Sequence, residues 1–269
     1  MAARLWLDFS THLRVERQEI PWRVVRGFPN TSGETLAHLH NVSGGILDSD
    51  DLELRIVVRP GARAQVTSTG ATRIYRSRAA GRQARSRIQV EVGDGGYLEW
   101  LPDALIPYGG SRYQQNTRIQ LAYGASLIWW EIVSPGREAA GEVFRYQQFA
   151  SHLEILCDGC PVAEEIWNLE PARYPLDSAA RLGPFRYFAS LYLCGPGAAR
   201  LEPEMARVAE QHSAASELLW GASSLRSDGV VLRGLARNGR ILARSLTVIW
   251  QTAKLALCGR VATPPRKIY

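Results

Sequence analysis

Two thiols and two imidazoles stand at spacings that metal chemistry uses, in Cys157-Asp158-Gly159-Cys160 and His38-Leu39-His40. A thiolate pair two residues apart can hold one edge of a tetrahedral ion. A structural site of that kind needs a second pair of thiolates or imidazoles, and none is close in sequence. Asp-Gly between two strand-like runs is instead a preferred two-residue hairpin turn, so this segment reads as a turn flanked by cysteines. His38 and His40 would leave the same side of a strand, and alone they read as packed or solvent-facing side chains rather than ligands. No glycine-rich turn runs into Gly-Lys-Ser/Thr, and Gly195-Pro196-Gly197 lacks the third glycine and strand-to-helix setting of a dinucleotide site. Gly-x-Ser-x-Gly does not occur, and His12, His38, His40, His152 and His212 show no triad partners that spacing identifies. Nucleotide binding and hydrolase chemistry therefore find no support.

The elements that would position any site are mostly strands. Arg55-Ile56-Val57-Val58, Arg87-Ile88-Gln89-Val90 and Arg118-Ile119-Gln120-Leu121 repeat one phrase. Each runs into a glycine-containing turn (Pro60-Gly61-Ala62, Gly93-Asp94-Gly95-Gly96, Tyr123-Gly124-Ala125) and then a second apolar segment. Glu154-Ile155-Leu156 before Asp158-Gly159 is a weaker fourth copy. A strand-turn-strand period of about thirty residues indicates stacked sheet layers. Alternation of Leu52, Leu54, Ile56 and Val58 with charged residues gives each strand one buried face. Two segments break the rhythm. Residues 203–215 put Met205, Val208, Ala209 and His212 on one helical face, and residues 241–257 do the same with Leu242, Leu246, Ile249, Trp250, Ala253 and Leu257. Pro203 and Gly259 suit helix ends. The fold class is therefore mainly β, a stacked-layer (helical β) single domain over residues 1–269 with two α-helices in the C-terminal third.

The formal charge of +6 comes from arginine, Lys254 and Lys267 being the only lysines. Guanidinium groups pair with carboxylates at interfaces, so the bias points to an acidic protein partner as readily as to nucleic acid. The densest basic run, from Arg73 to Arg87, comes without any nucleic-acid-binding pattern, and no nucleic-acid partner is expected. No run of about 18 apolar residues suggests a membrane helix. Asp8, His12, Arg14 and Glu16 break up any leader-like run, and four uneven cysteines suit a reducing compartment, so the expected location is cytoplasmic.

A more specific pattern lies in Gly44-Gly45-Ile46-Leu47-Asp48-Ser49-Asp50-Asp51-Leu52 followed by Thr67-Ser68-Thr69-Gly70-Ala71-Thr72-Arg73-Ile74-Tyr75-Arg76-Ser77. Here the chain resembles the urease accessory proteins of the UreD (UreH) family. The resemblance continues through Leu98-Glu99-Trp100-Leu101-Pro102, Trp130-Glu131, Gly136-Arg137, Gly141-Glu142 and Pro265-Arg266. It departs at Ser49, where the family has glycine, and at the tail Pro265-Arg266-Lys267-Ile268-Tyr269, where the family tends toward Pro-Arg-Ile-Trp.

The resemblance implies a non-catalytic maturation factor with a helical β fold. Its expected partners are apo-urease, a UreF-type accessory protein and, through the latter, a UreG-type GTPase. It would bind no permanent cofactor, nickel being in transit through a water-filled passage. Family positions nominate Asp50, Thr72, Glu131 and Glu165 for that passage, with Asp48, Glu99, Arg137 and Glu142 as a second group. Scattered carboxylates and hydroxyls suit an ion that must be released better than a closed Cys/His site does. Asp50 has a competing role, fixing its turn by accepting backbone N–H bonds, and Arg137 and Glu142 read better as a salt bridge. The alternative function is an adaptor that only holds the partners together while nickel enters by another route.

Overall fold

The structure, a computed structural model, describes residues 1–78 and 82–265. The terminal motif after Pro265 lies outside the described residues. The first strands are β1 (Ala2–Phe9), β2 (Leu13–Gln18), β3 (Trp22–Arg23), β4 (Phe28–Pro29), β5 (Thr35–Asn41) and β6 (Asp51–Val58). The middle of the chain supplies β7 (Arg63–Ser68), β8 (Thr72–Ile74), β9 (Ala84–Val92), β10 (Tyr97–Trp100), β11 (Leu105–Pro107), β12 (Arg112–Leu121) and β13 (Ser126–Val133). Then come β14 (Gln148–Cys157), β15 (Cys160–Leu169), β16 (Tyr187–Cys194), α1 (Glu202–Gln211), β17 (Leu218–Ser224), β18 (Gly229–Ala236) and α2 (Gly239–Cys258). Strand makes up 46% and helix 14%, with both helices in the C-terminal third as expected.

The chain winds as a coil. Strands β6, β9, β12 and β14 lie side by side and parallel in one sheet, of order β15-β14-β12-β9-β6-β1-β2. The strands between them in sequence, β7, β10 and β13, run parallel with β5 in a second sheet, of order β17-β18-β16-β13-β10-β7-β5-β3. Short β8 and β11 pair with each other and join the second sheet through the pairing of β11 with β13. Each layer is thus one repeat of the sequence.

The turns show why the repeat carries glycine. Ala62 donates to the Arg59 carbonyl (2.9 Å), Gly96 to Gly93 (2.8 Å) and Ala125 to Ala122 (3.0 Å), closing three four-residue turns. The third position of each is a glycine with φ of 68° (Gly61), 62° (Gly95) or 71° (Gly124), a region that a Cβ disfavours. The turns also stack, because Gly61 N–H donates to Asp94 O at 2.8 Å.

Register differs in one respect from the repeated phrase. Arg55 and Arg118 both face Gln89, not Arg87, so the Arg-Ile of β9 sits two residues out of step. A slip of two keeps every side chain on its own face, and Ile56, Val90, Ile119 and Ile155 still form one inward row. The fourth copy is in register, Glu154 facing Arg118 and pairing with it.

Helix α1 ends four residues before the expected boundary. The Ser213 hydroxyl donates to Ala209 O (2.9 Å), and Ala214 already bridges to Leu218 at the start of β17. Helix α2 is capped as its sequence suggests. Asn238 Oδ1 accepts from Arg240 N (2.8 Å), and Gly259 closes the other end at φ 64°. Its buried face lies on the outer side of the second sheet, with Trp250 edge-on to Trp130.

Beneath α2, Lys254 is fully buried between two buried carboxylates, 3.1 Å from both Glu34 and Glu99. Burial opposes ionisation of Glu34. The Ser32 hydroxyl, the Lys254 charge and the Arg63 guanidinium outweigh it and bring that carboxyl down to about 2. Tyr97, Gln65 and Trp250 donate to Glu99, so the network is closed by hydrogen bonds.

Candidate functional site

Between the two sheets the apolar filling is interrupted at one level. On β12, Tyr113, Gln115, Thr117, Ile119 and Leu121 share the inward face, and two of the five are polar. Ser86 on β9 and Ser151 on β14 flank Gln115 in register, and all three are buried. The second sheet answers with Glu131 on β13, two residues on from the inward Trp129. Ser190 and then Arg233 lie beside it on β16 and β18. Glu165 comes from the sheet edge, on β15. Above and below this polar level, aliphatic and aromatic side chains close the interior.

A cavity of about 240 Å³ opens onto this level. Exposed Gly44, Thr69, Ala71 and Arg73 stand at its mouth, with Thr72 on its wall, buried Ser86 and Gln115 deep within, and half-buried Glu131 beside them. Gln115 Nε2 donates to Glu131 Oε1 at 2.6 Å, and the Tyr113 hydroxyl fixes the amide by donating to Gln115 Oε1 at 3.0 Å. Burial pushes the Glu131 carboxyl up to about 7, and the nearby charge of Glu165 adds to the shift. The hydrogen bond from Gln115 pulls the other way. Glu165 accepts from Ser190 Oγ (3.0 Å) and Arg233 Nε (2.9 Å). The level therefore carries two interacting carboxylates, one half-buried and titrating near neutrality and one held by an arginine.

The structure brings Thr72 and Glu131 to one cavity, with Glu165 electrostatically coupled to Glu131. The other nominated residues lie elsewhere. Asp50 fixes its own turn, Oδ2 accepting from Leu47 N–H at 2.9 Å and Oδ1 lying 3.1 Å from the terminal ammonium of Met1. Asp48 accepts from Arg78 N–H at 3.0 Å. Glu99 points to the opposite side of the second sheet, into the network around Lys254. Arg137 and Glu142 pair in the loop after β13, where Glu142 also accepts from Gly109 N–H at 2.9 Å and Arg137 lies 4.5 Å over the Tyr108 ring. The hydrogen bonds from Arg137 and Gly109 bring the Glu142 carboxyl to about 2.

Sequence reasoning missed Gln115, Ser86, Ser190 and Arg233. The signal for Gln115 was present, because it falls in the inward phase set by Ile119 and Leu121. Cys157 and Cys160 face each other across a turn in which Asp158 and Gly159 both have positive φ (48° and 78°), the hairpin geometry that Asp-Gly favours. Among the described residues no three or more His, Cys, Asp or Glu side chains gather as a metal cluster. No helix of the described residues is long and apolar enough to cross a membrane.

The family model described as UreD urease accessory protein matches residues 1–268. A urease accessory protein UreD of Herpetosiphon aurantiacus is 39% identical, over 100% of this chain and 97% of its own length. A UreD of Pseudomonas fluorescens is 34% identical over 83% of this chain and 76% of its own length. A second-copy UreD of Pseudomonas syringae pv. tomato is 32% identical over 93% of this chain and 86% of its own.

Proposed function

The chain belongs to the UreD family of urease accessory proteins, and from that premise we propose that it is a non-catalytic maturation factor through which nickel reaches apo-urease. In this reading it joins apo-urease to a UreF-type accessory protein, and through that partner to a UreG-type GTPase. Nickel crosses the polar level between the sheets.

The observation that carries the route is Glu131, a half-buried carboxylate on the cavity with one amide donor and a second carboxylate electrostatically coupled to it. A carboxyl near neutrality loses its proton readily when a cation arrives, and the ion's charge then replaces the proton as its counterpart. One carboxylate, an amide and a few hydroxyls replace only part of the hydration shell of a divalent ion. Such a site holds nickel weakly enough to pass it on. Thr72 lines the wall of the cavity, and Glu165 with its Arg233 partner gives the next negative group along the level.

The test is nickel per urease active site after maturation with Glu131→Ala and with Thr72→Lys, alongside pull-down of the partners. Glu131→Ala should lower nickel while the complex still assembles. Thr72→Lys should lower it further, because a fixed ammonium in a narrow passage repels a divalent cation as well as obstructing it. Normal loading in both variants would exclude this route and leave the adaptor role.

A further inference from the structure

Helix α2 has a second face that nothing among the described residues covers. Ile241, Val248 and Leu255 are 38%, 40% and 53% exposed and recur every seven residues, forming one ridge nearly parallel to the helix axis. Thr252, beside the ridge, spends its hydroxyl on the Val248 carbonyl at 3.2 Å, so its methyl group extends the apolar strip. Along one edge stand Arg240, Arg244 and Gln251, all exposed. Helix α2 carries no carboxylate, and neither arginine makes an ion pair among the described residues. Two cations in the first turns also oppose the positive end of the helix dipole, an end that a nearby anionic group would stabilise.

We propose that this ridge docks an acidic amphipathic helix of a partner protein. Aliphatic side chains at heptad spacing are what a second helix needs to pack at the shallow crossing angle of coiled coils. The unpaired arginines select an occupant whose flank carries Asp or Glu, and they disfavour a second copy of α2, which would bring arginine against arginine in one of its two orientations. The inference rests on the proposed function only in needing a protein partner.

The test measures binding of the full-length chain to purified apo-urease and to the purified UreF-type protein, as wild type, Val248→Glu/Leu255→Glu and Arg240→Glu/Arg244→Glu. Thermal melting of each variant checks the fold. Both variants should bind the same partner at least tenfold more weakly, and the arginine variant should also lose most of the salt dependence. A photo-crosslinker in place of Val248 should label an Asp/Glu-flanked helix of that partner. Wild-type binding that neither variant weakens would overturn the ridge while leaving the proposed function standing, and so would cross-linking to a second copy or to a basic segment. Absence of wild-type binding to both proteins would overturn the two together.

Discussion

Glu131 sits where a carboxylate is expensive, and its titration is the means of reading that cost. Its carboxyl ionises near 4.5 in the unfolded chain and near 7 in the fold, because burial and the charge of Glu165 disfavour the anion. A raised pKa contributes stability that is fully present below about 4.5 and is lost as pH rises through about 7. Glu131→Gln should therefore flatten the fall in stability between pH 5 and 8 and leave the variant more stable at pH 8, by on the order of 3 kcal/mol at most. Urea midpoints at the two pH values check it, and an unchanged slope would show that Glu131 is not the titrating group. Ser49 gives a second prediction at this scale. It holds φ 64° in the turn before Asp50, a backbone conformation that favours glycine. Ser49→Gly should raise stability by up to about 1 kcal/mol, the relief of left-handed strain being partly offset by the extra freedom of glycine when unfolded. A loss of stability would mean that the serine side chain does more for the turn than its backbone costs.

At the scale of elements, the glycine-turn repeat and the alternation on β6 and β9 were enough to read stacked layers of half-buried strands, because burial of one strand face imposes a period of two, whereas the parallel pairing of neighbouring layers came only with the fold. The register of β9 was not legible from the Arg-Ile phrase. Pairing follows the stacked glycine turns and the inward rows, and a slip of two satisfies both. Helix α2 was readable by its phase, yet Lys254 was not. It falls four residues after Trp250 on the buried face, and only the fold supplies Glu34, from the segment before β5, and Glu99, from β10. Glu131 was found through family position, whereas its partner Gln115 needed the second sheet to give its polarity a purpose. The Lys254 network makes a prediction about how α2 is anchored. Lys254→Met leaves two buried carboxylates without their shared cation and should cost about 3–5 kcal/mol. Adding Glu99→Gln should recover part of that loss, since Arg63 still serves Glu34 (3.0 Å) while the neutral amide can still accept from Tyr97. Equal stability of the single and double variants, measured by denaturant unfolding, would show that unpaired charge is not what the lysine relieves.

At the scale of the whole molecule, a coil of parallel layers closes neither sheet on itself. The first sheet ends in the ten-residue strand β15, whose outward Ile166 is 67% exposed, and the second ends in β17, with Leu219 38% exposed. Open edges with exposed aliphatics template further pairing, and charge or partner contact is what usually blunts them. Purified alone, the chain should associate in a concentration-dependent way, and the maturation partners should suppress this wherever they cover an edge or the ridge of α2. Two variants separate the sources. Ile166→Lys places a charge on the β15 edge and should reduce strand-edge association, whereas Val248→Glu should act only if the helix ridge is the adhesive surface. Light scattering across a concentration series distinguishes them, read with urease activation to check that function persists in the edge variant. A monodisperse wild-type monomer at high concentration would refute the expectation, because the open β15 and β17 edges would then need no cover.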